Sequence, residues 1–70
     1  MIPPTQQLIL QRLSEVCSLS EDVRFGQMID FLSFLADRSL PEIEDEELLQ
    51  VVERHLADLR KRQSAIELRA

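Results

Sequence analysis

Three sets of side chains could in principle carry out chemistry: the lone thiol of Cys17, the pair Glu53 and His55, and the acidic run Glu42, Glu44, Asp45, Glu46 and Glu47. A nucleophilic cysteine needs a base and oxyanion donors converging on it. A chain with one histidine and one glycine has little from which to build either. Cys17 falls on the core-facing side of a helical pattern and is expected to be a small buried hydrophobe. The spacing Glu-x-His sets the side chains of Glu53 and His55 about 200° apart around a helix. They therefore cannot share a metal as the Glu-x-x-His pairs of di-iron bundles do. His55 borders an apolar stripe, which predicts a structural histidine. The acidic run lacks the alternating oxygen ligands and the turn glycine of a calcium loop. Two roles stay open for it: compensation of a helix dipole together with solubility, or docking of a basic partner. No catalytic, cofactor-binding or metal-binding residue is predicted, and the chain is expected not to be an enzyme.

The elements that would position these groups are set by periodicity. Ile9, Leu10, Leu13, Val16 and Cys17 recur at helical spacing, with Gln6, Gln7, Gln11, Arg12, Ser14 and Glu15 opposite them. Pro3 and Pro4 are tolerated only before or at the start of a helix, so a first helix is placed at 5–18. Ser18 to Asp22 breaks the pattern and offers capping groups and negative charge to the next helix. That second helix is placed at 22–38, with the stripe Phe25, Met28, Ile29, Leu32, Leu35 and Ala36. Its end is set by Pro41, which disfavours helical geometry in the residue before it. The third, at 45–63, carries Leu48, Leu49, Val52, Leu56 and Leu59, supplemented by Val51 and His55. Asp45, Glu46 and Glu47 lie at its positive end and Arg60, Lys61 and Arg62 at its negative end. Residues 1–4 and 64–70 are expected to fray.

The stretch DVRFGQMIDFLSFL holds all three phenylalanines and the only glycine. Phe31 and Phe34 lie off the stripe of the second helix. A helix with bulk beyond one stripe must be central or must contact a second chain. The fold expected is thus an all-α single domain of three helices, with the 22–38 helix in the middle packed against 5–18 and 45–63. An interface is expected at Phe25, Gly26, Met28, Phe31, Phe34 and Leu35. Gly26 has two readings: a site of close helix approach, or a residue in a first turn where its cost is small.

Composition limits the partners. A 70-residue chain buries a small core and gains from oligomerisation. With 13 acidic and 8 basic side chains its net charge of −5 repels phosphate backbones. A helix-turn-helix from the first two helices would need a basic recognition helix, whereas Asp22, Asp30 and Asp37 oppose Arg24 and Arg38 there. Nucleic acid is not expected as a partner, nor a small-molecule substrate. The N-terminal residues lack the positive region of a signal peptide, and no apolar run reaches the length of a membrane span. A single cysteine suits a reducing compartment, so a cytoplasmic protein is expected.

The run Arg24-Phe25-Gly26-Gln27, the later Phe34-Leu35-Ala36 and then Ile43-Glu44-Asp45-Glu46-Glu47-Leu48-Leu49 resemble a group of short bacterial proteins sharing RFGQ and EDEEL stretches. The resemblance spans about residues 22–56. Where that group has a tryptophan in W-D-x-E-D-E-E-L, this chain has Leu40-Pro41-Glu42-Ile43-Glu44. It implies a small helical bacterial protein and no chemistry. The function expected is a non-enzymatic protein–protein interaction module, a small regulatory or adaptor protein that self-associates as a dimer or binds another protein. The alternative is an acidic antitoxin-like or nuclease-inhibitor protein docking a basic partner through Glu42 to Glu47.

Overall fold

A computed structural model describes residues 1–69, with side chains through residue 65. In chain order it has α1 (Pro4–Leu19), α2 (Phe25–Ala36), a 3-10 turn (Leu40–Glu42) and α3 (Asp45–Arg69), with no strand among the described residues. The boundaries have local causes. Pro4 opens α1 at a position where no amide donor is needed, and the Gln7 amide donates to the Pro3 carbonyl at 3.0 Å. α1 stops at Leu19, where the Ser20 amide turns back to the Cys17 carbonyl at 3.2 Å.

α2 starts at Phe25, three residues later than expected, because Ser20 to Arg24 form a connection closed by the Val23 amide on the Ser20 carbonyl, 3.0 Å. The Arg24 amide donates to Gln27 Oε1 at 3.1 Å, the return half of a capping box. α2 ends two residues early at Ala36. Asp37 takes the left-handed conformation, φ 56° and ψ 36°. Its amide donates to the Phe34 carbonyl at 3.1 Å and that of Arg38 to the Ser33 carbonyl at 3.4 Å, the paired bonds of a Schellman motif. α3 is helical to Arg69, beyond residue 63 where its apolar periodicity stops.

Polar contacts give the helix directions. Gln6 Nε2 donates to Asp45 Oδ2 at 3.1 Å and Arg60 pairs with Glu15, so α1 and α3 run the same way. Arg38 pairs with Glu47 at 3.4 Å and Phe31 meets His55, so α2 runs against α3. One core is shared by all three helices: Val16 from α1, Met28 and Leu32 from α2, and Val51, Val52 and Leu56 from α3. Leu13, Cys17, Ile29, Leu35, Ala36, Leu48 and Leu59 pack around it.

The three-helix, all-α expectation holds, but the middle place belongs to α3, which packs against both α1 and α2. The reason is the width of its buried side. Val51 at one edge and Leu49 at the other bound an arc of about 160° at 100° per residue, enough for two neighbours. The covered apolar residues of α2, from Leu35 to Ile29, span only about 120° on the same count, and Phe31 and Phe34 lie outside that arc. Two stripe residues also differ from expectation. Leu10 on α1 is 55% exposed, at the edge of a helix with a single large contact, and Phe25 is 60% exposed because it is the first residue of α2 and the preceding turn leaves it uncovered.

Candidate interaction surface

Each group that could have done chemistry has an ordinary structural place. Cys17 is a free, half-buried thiol packed against the core. His55 stands edge-on to Phe31, ring centroids 5.0 Å apart and planes at 61°. Burial pushes its pKa below the usual histidine range; the positive charge of Arg62 adds to this and Asp58 opposes it. The imidazole is therefore neutral at pH 7. Glu53 is exposed on another face of α3. Among the described residues no group of His, Cys, Asp and Glu side chains could hold a metal ion.

The acidic run is divided by its own contacts. Glu47 is tied to Arg38, just after α2, and Asp45 accepts from Gln6 of α1, so both fasten the start of α3 to its neighbours. Glu42, in the 3-10 turn, and Glu44 and Glu46 are exposed. Asp45, Glu46 and Glu47 lie in the first turn of α3, where negative charge is favourable against the helix dipole by about 0.3–1 kcal/mol each.

The six residues expected at an interface separate into three kinds. Met28 is buried in the core and Leu35 packs against it, so both serve the chain's own packing. Gly26 is the second residue of α2, and a Cβ built on it would meet nothing within 4 Å. Within the chain it marks a helix start and not a close approach of helices. Phe25, Phe31 and Phe34 remain on the surface, with Phe34 76% and Phe31 41% exposed.

Phe31 and Phe34, one turn apart on α2, stack with centroids at 6.1 Å and planes at 20°. Together with His55 they form a row of three rings across α2 and α3. At one end of the row a groove of about 300 Å³ opens between α2 and α3, lined by Val23, Gln27, Met28, Phe31, His55 and Leu59, with Ser20 and Arg62 at its margin. At the other end Phe34 stands beside Asp30, Asp37 and Arg38 around a shallow hollow. The groove is a feature that sequence reasoning missed: its walls come from residues 20–31 and 55–62, and no local pattern states that these segments meet. The signal available in the sequence was the surplus of phenylalanine on α2, which gives one side of the surface only.

Compared with family models, with curated proteins and with solved structures, the chain matches none. No helix of the described residues is long and apolar enough to cross a membrane.

Proposed function

We propose that this protein is a non-enzymatic protein–protein interaction module, a small regulatory or adaptor protein that self-associates through the phenylalanine flank of α2. The observation that carries this reading is the exposed stack of Phe31 and Phe34 beside an apolar groove. Exposed aromatic side chains around a hollow are the material of interface hot spots. In a 70-residue domain, whose core is small, covering such a surface adds stability that the chain alone lacks. The free thiol of Cys17 suits a reducing, cytoplasmic setting.

The test is solution mass by light scattering over a concentration series, for the wild type and for the Phe31→Glu, Phe34→Glu double variant. The wild type is expected to move from monomer to dimer as concentration rises. The double variant is expected to stay monomeric, because four carboxylates brought into an apolar contact each need a partner they do not have. Equal masses for the two proteins at every concentration would remove the reading.

A further inference from the structure

The phenylalanine flank of α2 holds a protrusion and a recess at reciprocal places. Phe34, the most exposed of the three phenylalanines, stands near the C-terminal end of the helix. The groove, lined by Met28 and Leu59 among others, opens beside its N-terminal half. A surface with a knob at one end and a hole at the other is complementary to itself when a second copy is turned end for end, the condition for an isologous two-fold contact.

The charges repeat this arrangement. Arg62 is, among the described residues, the one charged side chain lining the groove, and Arg24 precedes α2 at the helical spacing that continues the row of Gln27, Phe31 and Phe34; Asp37 stands beside the knob. Among the described residues neither Arg24 nor Asp37 has an ion-pair partner, and Arg62 has only the exposed Asp58 at 3.7 Å. Arg38, the cation next to Asp37, is already engaged by Glu47. Glu21 and Asp22, just before Arg24, line a separate hollow with Ser18 and Gln63. The flank therefore runs from positive at the groove to negative at the knob. Two copies placed antiparallel bring opposite signs together at both ends, and they also oppose their helix dipoles.

We infer that the occupant of the groove is Phe34 of a second copy of this chain, in a two-fold dimer whose axis passes beside Phe31 and which sets Asp37 of each protomer against Arg24 and Arg62 of the other. This rests on the self-association proposed above and adds its geometry. The register is dictated by the helix: pairing residue 34 with residue 28 of the partner places the midpoint at residue 31, and the same register brings residue 37 to residue 25 of the partner, next to its Arg24. Phe31 then has two tasks, forming the groove wall in its own chain and meeting its symmetry mate at the axis.

The experiment has three arms, read by sedimentation velocity, with helix content checked by circular dichroism. Phe34→Ala removes an exposed side chain, so the fold is kept, and the dimer is expected to weaken about a hundredfold or more. Arg24→Glu and Asp37→Lys, each alone, are expected to weaken the dimer about tenfold, since each puts two like-charge contacts into its homodimer. Mixed in equal amounts, these two variants are expected to recover dimer, because the heterodimer alone restores opposite charges at both ends. Asp37→Asn, which keeps the left-handed turn and loses only the charge, repeats the Asp37 arm if the lysine variant loses helix. A wild type that stays monomeric to millimolar concentration overturns both self-association and this geometry. A dimer indifferent to Phe34→Ala leaves self-association standing and overturns the insertion. Dissociation by Phe34→Ala with no recovery on mixing overturns the antiparallel arrangement.

Discussion

At the scale of single residues, Asp37 and His55 occupy positions whose physical demands differ from what their types supply. Asp37 holds φ 56° at the residue after α2. This is the helix-ending position where glycine is most at ease, since a side chain there crowds the following carbonyl. Aspartate bears the conformation better than most residues, yet it still carries strain. Asp37→Gly is expected to stabilise the monomer by about 0.5–1 kcal/mol, the steric relief being offset in part by the entropy glycine adds to the unfolded chain. Urea titration in a Phe34→Ala background isolates this effect from association; a loss of stability would mean that the Asp37 side chain makes up for its own strain. For His55 the sign is set by burial. Its lowered pKa means that the folded chain takes up the proton less readily than the unfolded chain, whose histidine titrates near 6.5. The contribution of the neutral ring is therefore fully present above that pH and is lost as the pH falls through the folded value. Melting temperature measured from pH 7.5 to 5.5 should fall more for the wild type than for His55→Gln, and parallel curves would show that burial of the ring has no energetic consequence.

At the scale of elements, α2 is the most informative helix, because its exposed side can be changed without touching its core side. Gly26 lies in its first turn with open space where a side chain would stand. Gly26→Ala is expected to be neutral to stabilising by up to about 1 kcal/mol, seen as a higher urea midpoint with unchanged slope. A loss of dimer with no loss of monomer stability would instead show that a partner backbone approaches there. The same helix marks where the sequence could be read and where it could not. Leu32 was legible as core because periodicity identifies the apolar side of a helix, and it is indeed 1% exposed, whereas Met28 on the same stripe was also expected at an interface and is buried in the core. Periodicity does not identify what covers that side. The surplus of Phe31 and Phe34 suggested two neighbours for α2, whereas the helix with two neighbours is α3, whose wide apolar arc looked like one stripe with additions. Ile43 was missed as a buried residue because it lies in the connection before α3, outside any helical period. The helix ends at Arg24 and Asp37 were misjudged by a few residues for a similar reason. Arginine is a weak signal for a helix start and aspartate for a helix end, and the bonds that fix them come from neighbouring backbone and from Gln27.

At the scale of the whole molecule, the proposed self-association would couple folding to concentration, because the domain is small. Among the described residues eight apolar side chains are buried, six of them in one cluster drawn from three helices with partly covered neighbours around it. The ion pairs that link elements, Glu15 with Arg60 and Glu47 with Arg38, are solvent-exposed pairs of the kind worth about 0–1 kcal/mol each. In the proposed dimer, stability gained by covering Phe34 and the groove is then a substantial part of the total. Anything that binds the folded chain and not the unfolded one raises the melting temperature by mass action, and in the proposed dimer a second copy would act as that ligand. Above the dissociation constant, each tenfold rise in concentration adds about 1.4 kcal/mol per dimer, or about 0.7 kcal/mol per chain. For a domain of this length that corresponds to a rise of about 3–5 °C per decade of concentration. Calorimetry from ten micromolar to one millimolar should show this rise for the wild type and none for Phe34→Ala, with the two melting temperatures converging at the dilute end. Convergence there is the decisive feature, because it separates a side chain that stabilises only the dimer from one that stabilises each chain. If Phe34→Ala instead lowers the melting temperature equally at all concentrations, the stack of Phe31 and Phe34 belongs to the monomer's own stability and the flank of α2 has no need of a partner.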